Sequence, residues 1–401
     1  MKKLHGWTTA TISEVATIGG GTGFPEAYQG NSTGDIPFIK VSDLNSPGNE
    51  KYVVTANNWI SEEVRKKVKA KIQPPGSIVF AKVGGALLTN KRRILSRPTI
   101  IDNNMMSLFA TGANPHYLYH VMLGIDLGRY RQEGAVPSVN GGRVGEIILD
   151  LPPHPEQRKI ADILSTWDEA LEKLDALISA KDHRKQALMQ HLLTGRRRFP
   201  AFGKKAWTKV RMNQLLERVF RPIEWSAEMS LSLISIRRRC GGLFRRPDLL
   251  GSEYKTQDLH DLKAGDFLVS KRQVAHGAWA MVTPEFAGGH VSKEYAIFTN
   301  IAPAKFHMPF FAWLAQTPRM IRLSRVASTG VHIEKLIFDP DVFLRESIRI
   351  PADLAEQRQI AAILDTADQE LTLLRTQRNA LDQQKRGLMQ RLLTGKTRVK
   401  L

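Results

Sequence analysis

The sequence predicts an α+β protein made by internal duplication: two globular α/β domains separated by an antiparallel coiled coil of two long helices, the halves related by a pseudo-twofold axis. Three observations predict it. Blocks of sequence recur at a constant offset of 200 positions. The recurring blocks show helical periodicity, with no Pro or Gly from Glu156 to Leu193, and the segments between them show short strand-like runs broken by Gly and Pro.

The repeat is the firmest of these. Glu156-Gln157-Arg158 returns as Glu356-Gln357-Arg358, and Leu192-Leu193-Thr194-Gly195 as Leu392-Leu393-Thr394-Gly395. Between them Ile160, Ala161, Leu164, Asp168, Leu171, Leu174, Lys185 and Leu188 all reappear without a gap, and Trp7-Thr8 reappears as Trp207-Thr208. In the first copy Leu164, Trp167, Leu171, Leu174 and Ile178 step by three and four, so they form the packing stripe of one long helix. Leu364, Leu371, Leu374, Leu381 and Leu388 form the stripe of the second. Pro152, Pro153 and Pro155 start the first helix and Pro351 the second, while Gly195 and Gly395 end them as left-handed C-cap residues. At about 1.5 Å per residue, Glu156 to Leu193 would span about 57 Å, too long for a single domain to bury, so the two helices must pack on each other. The end of the first and the start of the second flank one domain, which makes the pair antiparallel.

The remaining sequence divides accordingly into a first domain (1–150), a helical segment (151–198), a second domain (199–350) and a C-terminal helical segment (351–401). Strand signals include Ile36–Val41 and Ser77–Phe80 in the first domain, and Leu231–Ile236 and Asp266–Val269 in the second. A shared turn and strand, Pro75-Gly76 to Lys82 beside Ala264-Gly265 to Lys271, predicts one α+β fold for both, with strand order left open.

Composition narrows the function. A hydrophobic content of 42% supports real cores, and 58 Lys+Arg against 39 Asp+Glu give a formal net charge of +19, which points to a polyanion and above all to nucleic acid. Cys240 is the lone cysteine, excluding a disulfide framework or a cysteine zinc cluster and favouring a reducing compartment. No apolar run reaches membrane-span length, and Met1 to Trp7 leads into polar sequence rather than a signal peptide; the expectation is a soluble cytoplasmic protein without membrane contact.

Basic residues concentrate in the two domains, whereas the first helical stretch is nearly balanced in sign. The candidate DNA-binding set is Lys40, Lys82, Lys91, Arg92, Arg93 and Arg143 in the first domain, with Arg237, Arg238, Arg239, Arg245, Arg246, Lys271, Arg272, Gln273 and His276 in the second. Arg or Lys beside Gln, on loops that follow strands, suits groove readout, since Arg and Lys pair with guanine and Gln with adenine. The bland alternative for any one cluster is a solvated surface. Arg196-Arg197-Arg198 with Lys204-Lys205 has no polar reader and is expected to grip backbone phosphate or to stay solvated.

Catalytic patterns are poor. Gly19-Gly20-Gly21-Thr22-Gly23 lacks the Gly-Lys-Ser/Thr of a nucleotide loop and reads as a flexible turn. Asp248, Glu253 and Lys255 carry the letters of a metal-dependent nuclease site at too tight a spacing, and His5, His183, His276 and His332 have no carboxylate or thiol at ligand spacing. No Asn-Pro-Pro-aromatic tetrapeptide of an amino-methyltransferase is present. The chain is expected to catalyse nothing and to hold neither metal nor cofactor.

These features resemble one known family over the whole chain: the DNA specificity (S) subunits of type I restriction-modification systems. The residues that carry the resemblance are Pro153 to Ile160 leading into the first helix, Glu356 to Ile360 leading into the second, the two Leu-Leu-Thr-Gly endings, and the openings at Gly6-Trp7 and Ala206-Trp207. Leu354-Ala355 replaces His154-Pro155 in the second copy, a departure confined to the helix start. The resemblance implies two target-recognition domains that bind an asymmetric bipartite sequence in double-stranded DNA, one half-site each. It implies two methyltransferase subunits as partners and allows two restriction (motor-nuclease) subunits to join. S-adenosylmethionine would then sit in the methyltransferase, and ATP with Mg in the restriction subunit, with no cofactor in this chain. The competing readings are a self-contained nuclease or methyltransferase, and a structural coiled-coil adaptor without DNA specificity.

Overall fold

A computed structural model describes residues 6–132, 134–203, 205–254 and 257–400. The chain divides into two compact units, one of residues 1–175 with 377–401 and one of residues 176–376. Each therefore holds one globular α+β domain together with part of each long helix.

In the first unit the main sheet runs in the order Ala16–Gly20, Met105–Ala110, Ile78–Ala81, Arg93–Leu95, Tyr52–Val53. Its pairs are antiparallel, with Leu108 opposite both Ile18 and Ile78, except the edge pair of Tyr52–Val53 with Arg93–Leu95, which is parallel. A four-stranded sheet of Trp59–Ile60, Ile36–Ile39, Thr99–Ile101 and Ile72–Gln73 lies beside it in sequence. In the second unit the main sheet runs Leu216–Val219, Tyr295–Asn300, Phe267–Ser270, Trp279–Met281, all antiparallel. The first four strands of one sheet thus have the order of the other, although their sequences barely agree. The shared turn is the visible anchor: Gly76 and Gly265 both have positive φ, and their N–H groups donate to Leu95 and Val282 at 2.8 Å. In both units a strand near the start pairs with one at the domain's end, Thr8–Thr11 with Ile148–Leu151 and Thr208–Arg211 with Ser347–Ile350.

The long helices are His154–Leu192 and Leu354–Leu393. Gly195 and Gly395 follow them at φ 70° and 66°, the left-handed conformation expected of C-cap glycines. Within each unit the helices run antiparallel. In the first unit Arg378 meets Asp175 at 3.0 Å and Lys385 meets Asp168, so numbering rises along one helix as it falls along the other. In the second unit Arg375 meets Asp182 at 3.4 Å, Lys185 meets Asp368 at 2.8 Å, and Lys181 meets Glu370. Burial repeats with the sequence, since each residue from 171 to 190 falls in the same exposure class as its counterpart from 371 to 390. Leu164, Leu171, Leu364 and Leu371 are buried, whereas Trp167, Leu174, Ile178, Leu374, Leu381 and Leu388 are half-buried.

Each helix start is locked into its domain by the repeated Glu-Gln. In the first unit Gln157 Oε1 accepts from the Asn114 N–H at 2.8 Å and its Nε2 donates to the Pro152 carbonyl at 2.9 Å. Gln357 does the same, accepting from the His307 N–H and donating to the Pro351 and Lys305 carbonyls, all at 2.9 Å. Glu156 accepts from the Trp7 indole at 3.2 Å and from Arg398 Nε and Nη2 at 2.7 and 2.8 Å. Glu356 accepts from Trp207 at 3.4 Å and from Arg198 Nε and Nη2 at 2.9 and 2.6 Å. These four carboxylates and amides are buried, so their partners offset the cost of taking them out of water. Arg198, expected on phosphate or in solvent, is a structural cation held by Glu356; Lys204 of the same run lies outside the described residues.

The helix Pro115–Gly124 carries the other buried polar group at this junction. His120 is fully buried, its Nε2 lies 3.8 Å from Asp168 Oδ2, and neither ring nitrogen has a hydrogen-bond partner. Burial pushes its pKa down to about 4; Asp168 opposes this, while Lys385, Lys51 and His116 reinforce it. Burial disfavours ionised Asp168, but hydrogen bonds from Lys385 and Lys51 outweigh that and hold its pKa low.

Two outcomes follow from these contacts. Gln157→Leu strands the Asn114 N–H and the Pro152 carbonyl and should cost on the order of 2 to 4 kcal/mol in denaturant unfolding, at about one to two per unsatisfied group. An unfolded histidine protonates near pH 6.5 and the folded His120 only near 4, so the unfolded chain binds the extra proton in between. Stability should fall as pH drops through that window, by on the order of 3 kcal/mol in all. In His120→Phe the fall should flatten in that window.

Candidate nucleic-acid interface

The junction where the main sheet gives way to loops is built alike in both domains. Strand Ile78–Ala81 ends at Lys82, whose carbonyl accepts from the Val139 N–H at 2.9 Å; strand Phe267–Ser270 ends at Lys271, whose carbonyl accepts from the Phe338 N–H at 2.9 Å. Two lysines that the sequence pairs through a turn thus stand at equivalent backbone positions, with different loops around them.

In the second domain three loops meet beside Lys271. The loop after strand Ile234–Ile236 turns with positive φ at Arg239 and Cys240, 57° and 54°, a conformation that costs energy in residues with side chains. Its backbone is fastened to the turn Val274–His276, Arg239 N–H donating to the His276 carbonyl at 2.7 Å and Cys240 N–H to that of Gly277 at 2.9 Å. Arg238 Nε donates to Gln273 Oε1 at 2.8 Å. The third loop, between strands Ser328–Thr329 and Ile337–Phe338, brings in Glu334, 3.3 Å from Arg238 Nη2 and 3.0 Å from His276 Nε2. His276 has no carboxylate nearby in sequence; folding supplies one from 58 positions downstream.

The other candidates of this domain are tethered to varying degrees. Arg237 donates to the Leu243 carbonyl at 2.9 Å and lies over Phe244, Arg245 reaches Ser232 and the Glu285 carbonyl and lies over Phe286, and Arg246 lies over Tyr254. Arg272 pairs with Glu294 at 2.5 Å. Lys271 Nζ donates to the Lys293 carbonyl at 2.6 Å, and burial followed by the nearby Arg218 charge lowers its pKa. Arg237, Arg238, Arg239, Arg245, Arg246 and Arg272 are exposed, whereas Lys271, Gln273 and His276 are half-buried.

In the first domain the candidates do not form one patch of like exposure. Lys40, half-buried, donates to Gln29 Oε1 at 2.9 Å, and exposed Lys91 contacts Asn45. Exposed Arg143 donates to the Arg131 carbonyl at 2.9 Å, and half-buried Lys82 sits at the strand end already described. Arg92 is different: it is 1% exposed, bonds Asn90 and the Ile125 carbonyl at 2.8 Å, and lies over Phe80. Burial lowers its pKa to about 10. Its side chain ties the Asn90 turn to the following helix rather than reaching outward. Half-buried Arg93 likewise bonds the Arg92 and Leu44 carbonyls.

The remaining sequence motifs find structural roles. Gly19 and Gly20 lie in strand Ala16–Gly20, and a Cβ on Gly21 would come within 1.7 Å of the Asp102 carbonyl, so close backbone approach explains Gly21, whereas Gly20 and Gly23 have open space around them. Glu253 accepts from the Leu250 N–H at 2.8 Å and Asp248 is exposed, while Lys255 and His5 lie outside the described residues. Sequence reasoning missed Glu334 and Arg325, whose Nη2 donates to the Ala275 carbonyl at 3.3 Å. Arg325 had a signal, since Arg319, Arg322 and Arg325 recur every third residue on helix Pro318–Val326.

Comparison with known proteins agrees with this architecture. Residues 5–180 match the model of the type I restriction modification DNA specificity domain. The chain is 26% identical over 179 residues to the type I restriction enzyme MjaIX specificity subunit of Methanocaldococcus jannaschii, a match covering 41% of this chain and 39% of that protein. It is 25% identical over 309 residues to a putative type I restriction enzyme MjaX specificity subunit of the same organism, covering 71% and 69%. The type I restriction-modification S subunit from M. genitalium shares the fold with a TM-score of 0.61 at 12% identity, over 98% of both chains. A chain from a solved structure on complex assembly and conformational transition of the type I R-M system gives 0.57 at 16% identity, over 98% of this chain and 99% of that one. Through residues 5–180, then, the chain is similar to the type I restriction modification DNA specificity domain.

Proposed function

We propose that this chain is the specificity subunit of a type I restriction-modification complex. It binds double-stranded DNA at a bipartite, asymmetric sequence, with one half-site for the domain of residues 1–150 and one for the domain of residues 199–350. The observation that carries the reading is the pair of equivalent sheet-to-loop junctions at Lys82 and Lys271, surrounded by loops that differ in sequence and polar contacts. One scaffold carrying two different sets of side chains suits two different half-sites. The net charge of +19 suits phosphate neutralisation, which supplies affinity without sequence information. Exposed Arg238 and Arg239 with half-buried Gln273 and His276 are suited to base edges, because the fastened loops set their geometry before DNA arrives.

The chain itself catalyses nothing in this reading. Two methyltransferase subunits supply base flipping and S-adenosylmethionine, and two restriction subunits, with ATP and Mg, can join the same complex in the cytoplasm. Partner docking on the long helices is supported by their thin packing: Leu177 and Leu373 are 42% and 58% exposed, and much of the leucine stripe is only half-buried. Among the described residues no helix is long and apolar enough to cross a membrane.

The reading is tested by mapping methylated bases in a host with and without the gene; a bipartite methylation motif should vanish with it, and an unchanged methylome would sink the proposal. Lys271→Ala, Arg272→Ala or Gln273→Ala should cost on the order of 1 to 3 kcal/mol per lost base contact and relax one half-site only. Equal losses on specific and random DNA would instead mark phosphate contacts. Arg92→Ala provides the contrast. It removes buried charge-assisted bonds, so it should lower unfolding stability by about 1.5 to 3 kcal/mol, and at temperatures where it stays folded the recognised sequence should be unaltered.

A further inference from the structure

Glu334 is an oddity on a chain with a net charge of +19: a carboxylate 61% exposed, placed by a hairpin loop among the basic residues of the second domain. A carboxylate at a surface that meets DNA repels every phosphate near it, so it weakens binding unless something on the DNA donates to it. Its neighbours do not use it up. Arg238 takes Oε2 and His276 approaches Oε1, while an ionised carboxylate offers about four lone-pair sites. These two contacts also fix its direction, and Arg238 is fixed in turn by Gln273. The loop continues through His332 and through Val331, which is 93% exposed, so the tip of this hairpin is open to an approaching surface.

We propose that Glu334 is a specificity-determining residue of the second domain, accepting a hydrogen bond from the N4 amino group of a cytosine in the major groove. This rests on the reading of the domain as a half-site reader. The chemistry selects the base. In the major groove cytosine presents an amino donor without an adjoining acceptor, whereas adenine sets its N6 donor beside the N7 acceptor, which faces a carboxylate unfavourably. Guanine and thymine present acceptors there and are repelled outright. Arg238, turned by Glu334, is then placed for an acceptor on a neighbouring base and is kept from swinging to the nearest phosphate.

The test is selection of bound DNA from a pool with a randomised second half-site, using the chain assembled with its methyltransferase subunits. The wild type should require cytosine at one position. Glu334→Ala should accept other bases there, with discrimination reduced at least about 10-fold, and should bind random DNA more tightly because a repulsive charge is gone. Glu334→Gln, whose amide both accepts and donates, should move the preference at that position toward adenine. A carboxylate that only braces Arg238 and His276 predicts something else: both variants losing affinity evenly across sequences. That result, or an unchanged motif in both variants, overturns the proposal while leaving the half-site reading intact. A wild-type complex without any sequence preference overturns both.

Discussion

The rest of the molecule depends on a buried carboxylate held between an arginine and a tryptophan. Glu156 and Glu356 each sit at the first turn of a long helix, out of water, with an indole N–H from the opening of one sequence half and a guanidinium from the segment after a Leu-Leu-Thr-Gly ending. Leaving either carboxylate unpaired would be costly, since an uncompensated buried charge destabilises by several kcal/mol. Fork-to-fork pairing with arginine satisfies both oxygens in one plane. The adjoining glutamine then fastens the helix to the backbone of its domain, so the direction in which the helix leaves is set by side chains that do not vary between the two copies.

Why those residues recur while the domains diverge follows from what each must do. A helix start has one solution to its buried polar groups, and Glu, Gln, Trp and Arg reappear in both copies because changing one strands the others. The sheet order is also kept, but it tolerates any apolar residue of fitting volume: Leu108 and Phe298 fill equivalent central strands, and Ile78 and Phe267 the next ones. The loops have no such common requirement, so their residues answer only to what they touch outside.

This explains what was legible in the sequence. The helices, their ends, their antiparallel sense and the duplicated α+β fold could be read because they rest on local periodicity and on repeated identities. The role of Arg198 could not, because its partner Glu356 is 158 positions away and a run of three arginines looks like a phosphate clamp. Arg92 was hidden for a related reason: nothing in Lys91-Arg92-Arg93 says that the middle side chain turns inward over Phe80 while its neighbour Lys91 stays exposed. Glu334 was invisible because an acidic residue in a loop has no pattern until folding places it beside Arg238 and His276.

The division of the chain also bears on how it is made. The second unit draws on one continuous stretch, residues 176–376, whereas the first needs both the opening 175 residues and those from 377 onward. A ribosome delivers the start of the first unit early and its closing helix segment, with Lys385 for Asp168 and Arg398 for Glu156, only at the end. Until then Asp168 has Lys51 but not Lys385, Glu156 has Trp7 but not Arg398, and the apolar face around Ile160 and Leu164 lacks Leu392, a long-range closure of high contact order. The unit that begins first is completed last. During that interval the emerging chain carries an open apolar seam, and anything that shields such surfaces from aggregation has its longest task there.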